Sequence, residues 1–146
     1  MLAPPRNPLR ALIAGVLSSV LLLAACGGSE RPSVLETGRD VYGSTCSVCH
    51  GPRGGGEIGP SLESVAETWP TCGEHIEWIE LGSDGWKAEF GDVYGATLKP
   101  VIGGMPGQGS TLEAEEIAAV AAYERIEFGG LDQDSTLTEC GLDTGG

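Results

Sequence analysis

The hydrophobic and polar positions of the chain change register several times, and each change marks a different kind of segment. Residues 11–25 carry no charge, and "LSSVLLLAAC" is strongly apolar. This run is short for a membrane span and follows Arg6 and Arg10, the arrangement of an export signal rather than a fold element. "GGSERP", residues 27–32, reads as a flexible tether. Over 34–45 the apolar positions Val34, Leu35, Val41 and Tyr42 follow a loose helical period that runs directly into "CSVCHG". Residues 51–59, "GPRGGGEIG", are glycine-dense loop, and 61–68 suit a short helix. In 74–81, Ile76, Ile79 and Leu81 share a helix face, and Gly82 is the expected terminator. Residues 83–109, rich in glycine and broken by Pro100 and Pro106, read as irregular. A loop of that length in a small domain needs a reason, and wrapping a ligand is one. The clearest helix starts at Ser110, which predicts a capping box with Glu113. Glu115 and Glu116 favour its first turns, Ile117, Val120 and Ala121 line one face beside Leu112 and Tyr123, and Gly129-Gly130 ends it. The polar tail, 131–146, is expected to lie over the surface, pinned at Cys140. No internal repeat is visible.

Composition changes this picture in one respect. The chain has 146 residues, 40% of them hydrophobic but only 5% aromatic, with 24 glycines. That suits one domain whose modest core gains from a large apolar cofactor at its centre. The divisions expected are a signal peptide at 1–25, a linker at 26–33, a domain at 34–130 and a tail at 131–146.

"LAAC", ending at Cys26, resembles a bacterial lipobox. The resemblance implies that Cys26 is the first mature residue and carries lipid, anchoring an exported domain to a membrane, facing the periplasm or cell exterior. In that setting disulfides persist. Of the five cysteines, Cys26 then goes to lipid and Cys46 and Cys49 to the motif, which leaves Cys72 and Cys140 to pair. Such a bridge closes a long loop and stabilises by roughly 2–4 kcal/mol. Loss of Arg6 and Arg10 with the signal takes the net charge from −13 to about −15. So acidic a surface argues against nucleic acid and anionic lipid as binding partners. It suits a partner with a basic docking surface, or serves solubility alone.

Three chemistries fit Cys46-x-x-Cys49-His50. Structural zinc needs four ligands, and the chain offers only Cys72 and His75 as the remainder. A thioredoxin-like thiol pair needs an alternating strand and helix pattern, which is missing. Covalent haem asks least: the two thiols match the two vinyl groups, and His50 stands ready beneath the ring. The sixth iron ligand is then Met105, the sole methionine left after the signal, in "GGMPG". Glycines there let backbone approach a flat ring, and Pro106 stiffens the turn. His75 is the competitor, with a capping or surface role as its alternative; Lys87 and Lys99 read as solvated. Gly54, Gly56 and Gly59 match the dinucleotide pattern G-x-G-x-x-G, but they follow no strand and Pro60 comes next, which rejects that reading.

With these residues the chain resembles the bacterial class I cytochromes c from about residue 38 to 123. "CSVCH", "GPRGGGEIGPSL" ending in Gly59-Pro60-x-Leu62, "GGMPG" and "LEAEEIAAVAAYER" carry the likeness. It implies an all-α, small cytochrome c fold of three to five short helices wrapped around one covalent haem, with N- and C-terminal helices crossing near Tyr42 and Val120. It implies haem c with iron, bound by Cys46 and Cys49, ligated by His50 and Met105, with the Pro60 carbonyl accepting a hydrogen bond from His50. The implied function is membrane-anchored one-electron transfer to redox protein partners, without enzymatic activity of its own. Two alternatives stand beside the free carrier: a cytochrome c subunit of a larger membrane oxidase or dehydrogenase, and a gas sensor or peroxidase with an open sixth site. The segment 72–98, the Cys72 and Cys140 pair and the tail depart from the family's general pattern, which leaves partner and potential open.

Overall fold

A computed structural model describes residues 33–142. The leader, Cys26, the linker up to Pro32 and the last four residues of the tail lie outside them. Helix α1, Val34–Val41, is started by Ser33, whose hydroxyl accepts from the Glu36 N–H while the Glu36 carboxylate accepts from the Ser33 N–H. A π-helical turn, Tyr42–Cys46, follows without a break and leads into α2, Ser47–His50. The Ser44 and Ser47 hydroxyls donate to the Asp40 and Gly43 carbonyls, which occupies acceptors that the wider turn leaves loose. Next come α3, Val65–Thr68; α4, Cys72–Phe90; and a small antiparallel hairpin, β1 Val93–Tyr94 with β2 Lys99–Pro100. Helices α5, Ala114–Glu127, and α6, Gln133–Glu139, complete the fold. It is all-α in character, and among the described residues no helix is long and apolar enough to cross a membrane.

The frame is the packing of α1 on α5. Gly38 makes it possible: a Cβ there would run into the Ala119 carbonyl and the Tyr123 side chain. Val41, Tyr42, Ile117, Val120 and Ala121 are buried together behind this contact, and the Tyr42 and Tyr123 rings meet at 5.7 Å. A second apolar cluster unites Val65, Trp69, Trp78 and Trp86, with Tyr94 laid over Trp78 at 4.5 Å.

Three expectations need correction. Gly82 does not end the helix begun at Cys72. It takes φ 63° and ψ −172°, a kink, after which the helix resumes to Phe90, so part of the segment read as irregular is helical. The N-cap of α5 is Glu113, boxed with Glu116; Ser110 lies in a preceding turn where the Thr111 N–H bonds the Gln108 carbonyl. The described part of the tail, 131–142, is not a surface strap. Asp132 caps α6, and Thr136, Leu137, Cys140 and Leu142 are buried. Cys140 is bonded to Cys72 across 68 residues, with Cα atoms 5.2 Å apart. Arg125, 1% exposed, fastens the same region by donating to the Trp69 carbonyl (2.7 Å) and the Glu139 carboxylate (3.1 Å).

Candidate functional site

A cavity of about 250 Å³ opens between the two clusters. Its wall brings together Cys46, Cys49, His50, Gly59, Pro60 and Met105, side chains separated by up to 59 positions in the chain. Leu62, Val65, Trp69 and Ile79 supply apolar surface, and Ile58 and Ile102, both over four-fifths exposed, stand at the rim.

The CSVCH turn is set by the loop after it. Gly51 takes φ 78° and its carbonyl accepts from the Tyr42 hydroxyl at 2.5 Å. The Gly56 N–H bonds the His50 carbonyl and the Gly59 N–H bonds the Cys49 carbonyl, both at 2.8 Å. This folding back places the Pro60 carbonyl 2.8 Å from His50 Nδ1. With Nδ1 protonated and donating there, Nε2 is left as the lone-pair nitrogen, the tautomer a metal ligand needs. Gly59 packs closely on the ligand: a Cβ there would sit 3.1 Å from the His50 ring, a tight contact. His50 itself is buried.

Cys46 and Cys49 are free thiols. Burial first, and then the nearby Glu124 carboxylate, pushes the Cys46 thiol up to about 12, so it keeps its proton through the neutral range. Met105 is held by α4. Trp78 Nε1–H donates to its sulfur at 3.0 Å, the Ser83 hydroxyl accepts from its N–H at 3.0 Å, and the Ser83 N–H donates to its carbonyl at 2.9 Å. The kink at Gly82 makes this possible, because it pairs with Pro106 and a Cβ there would strike the Gly107 and Met105 backbone.

These residues fit a covalent haem on their own chemistry: two unpaired thiols three positions apart, an imidazole with one nitrogen tied down, and a thioether lining the same apolar cavity. They do not fit zinc through Cys72, whose sulfur is in the disulfide. His75, expected at a surface or as a cap, is 2% exposed, and its Nε2 lies 3.1 Å from Glu124 Oε2. Sequence reasoning missed Glu124, Trp78 and Ser83. The only sequence signal for the last two was a position within four residues of Gly82.

Residues 33–123 match the family model described as cytochrome C oxidase, cbb3-type, subunit III. No curated protein and no solved structure matches the chain. Helix α6 and Cys140 lie beyond the matched residues, whereas every residue on the cavity wall named above except Glu124 lies within them. Since that match spans more than half of the chain, the protein belongs to the cbb3-type cytochrome c oxidase subunit III family and is a c-type cytochrome, an electron-transfer protein whose cofactor is covalently bound haem c.

Proposed function

We propose that this chain is the electron-transferring cytochrome c subunit of a larger membrane oxidase, holding one haem through Cys46 and Cys49 with His50 and Met105 as axial ligands. The observation that carries the ligation is the meeting of those four side chains on one cavity wall. The family match favours the subunit over the free carrier that the sequence reading placed first.

Haem iron supplies a one-electron ferrous–ferric couple, and His/Met ligation raises its potential. The protein's own part is to orient and exclude. The Pro60 carbonyl orients His50; Trp78 and Ser83 hold Met105 in place, so little has to move when charge changes at the centre. Trp69, Val65 and Ile79 keep water from the slot. Ile58 and Ile102 give a partner an apolar landing at the rim, while the net charge of about −15 left after loss of Arg6 and Arg10 steers it if its own surface is basic.

Cys26, outside the described residues, carries lipid in this proposal and keeps the domain at the membrane surface through the short linker. Cys26→Ala is expected to release the domain into the soluble fraction; retention at the membrane refutes lipidation. Affinity purification of the tagged full chain from membranes in mild detergent tests the assembly. Oxygen-reducing activity and further haem subunits are expected in the eluate, and a chain that elutes alone from active membranes is instead a free carrier.

A further inference from the structure

One buried ionisable pair on the cavity wall has no part in the ligation above. His75 of α4 and Glu124 of α5 are 2% and 3% exposed, and their side chains meet at 3.1 Å. Trp69 lies parallel over the imidazole at 6.4 Å. His75 Nδ1 is buried with no hydrogen-bond partner. With Nε2–H donating to Glu124, that Nδ1 is a bare lone pair, and the pair as a whole carries one negative charge.

The surroundings do little to cancel this charge. Facing Glu124 from the turn after α1 are the Tyr42 hydroxyl and the Cys46 thiol, and from α5 the Tyr123 hydroxyl; burial raises all three above their usual range, so they stay neutral. Arg39 of α1 and Glu127 of α5 act on Tyr123. Arg125, next in α5, turns away to the Trp69 carbonyl and to Glu139 of α6. From the α3 side Thr68 takes Lys99 in a hydrogen bond, and Glu67 is exposed. The Met105 loop, Gly103 to Gln108, offers no ionisable group. Among the described residues His75 is the only ion-pair partner of Glu124. Cys46 and Glu124 share the cavity lining, and a thioether has no proton to offer a carboxylate, so attachment of haem leaves Glu124 dependent on His75.

The geometry points to a redox-coupled proton site: His75 and Glu124 together take up one proton from water when the haem takes up one electron, and release it on oxidation. The balance is simple. The donor protein loses an electron, ferric iron gains it, and a solvent proton binds the pair, so the buried charge beside the cofactor changes little. The inference rests on the haem sitting in this cavity. A charge added in a low-dielectric site raises the proton affinity of a neighbouring base, and linkage requires the converse: deprotonation lowers the affinity for the electron. The reduced protein therefore binds the proton up to a higher pH than the oxidised protein. Below both values the midpoint potential is flat and high; above both it is flat and low. Between them the reduction equilibrium falls towards tenfold per pH unit, about 59 mV for a one-electron couple.

The test is the midpoint potential of the full-length protein as a function of pH, read optically. Wild type is expected to show the sloped window. Glu124→Gln is expected to remove it and hold the potential at the upper plateau. A flat wild-type profile overturns the proposal, as does a slope that persists unchanged in Glu124→Gln, which would place the proton on the haem's own carboxylates. Should that variant fail to fold, reduced-minus-oxidised infrared spectra of wild type with isotope-labelled histidine decide. A protonation band from imidazole or a buried carboxyl group supports the pair, and absence of both overturns it. The ferric methionine band separates this from the ligation: a band with a flat profile sinks the proton site alone, and a missing band sinks Met105 as ligand.

Discussion

Met105 shows how much a single position depends on its neighbours. A thioether sulfur has two lone pairs, so the Trp78 N–H occupies one and leaves the other for a metal. That hydrogen bond withdraws electron density from the sulfur and makes it a poorer donor to ferric iron. Trp78→Phe keeps the ring packing and deletes the donor, so the midpoint potential should fall while the ligation persists. An unchanged potential would show that the hydrogen bond does not tune the site. Met105→Ala should lower the potential further and open the iron to carbon monoxide, and unchanged spectra would exclude Met105 as ligand. Ser83→Ala strips the acceptor from the Met105 N–H, at a cost of about 1–3 kcal/mol if that group is left unpaired. Chemical denaturation reads this loss.

Among the elements, the α1–α5 contact and the disulfide carry separable shares of stability. Gly38→Ala drives a methyl group into the Ala119 carbonyl and should cost about 1–3 kcal/mol through overpacking, with a lower denaturation midpoint as the readout. Replacing Cys72 and Cys140 by serine should cost about 2–5 kcal/mol and loosen α6 first, since Leu137 and Leu142 pack where the bridge holds the tail. Hydrogen exchange that speeds up evenly, not first in α6, would contradict that order. The α1 and α5 helices were legible in the chain from their apolar spacing, although the cap of α5 falls at Glu113 rather than Ser110. The second half of α4 was not. Its restart after Gly82 depends on Ser83 and Met105 exchanging hydrogen bonds across 22 positions, which no local pattern reveals. Helix α6 was hidden for a similar reason: Gln133–Glu139 is polar, and only tertiary contact buries Thr136 and Leu137. CSVCH and GGMPG stood out in the chain as neighbours on a cavity wall could not, because each groups its polar and sulfur atoms in a few adjacent residues. The pair of His75 and Glu124 could not, because 49 positions separate its members.

For the whole molecule, the acidic surface and the apolar rim make partner choice sensitive to salt. If steering brings the redox partner to the cavity mouth, raising ionic strength from about 0.01 to 0.15 M shrinks the Debye length from about 30 to 8 Å and should slow the second-order electron-transfer rate. A rate that does not respond would mean that docking rests on the apolar contact of Ile58 and Ile102 alone. In the proposed holoprotein one cavity holds a single covalent haem ligated by His50 and Met105. An optical redox titration of the purified protein tests it most directly. The expected result is one covalently retained haem, a single one-electron transition, and the weak far-red band of methionine-ligated ferric iron. Absence of that band together with rapid carbon monoxide binding would contradict it.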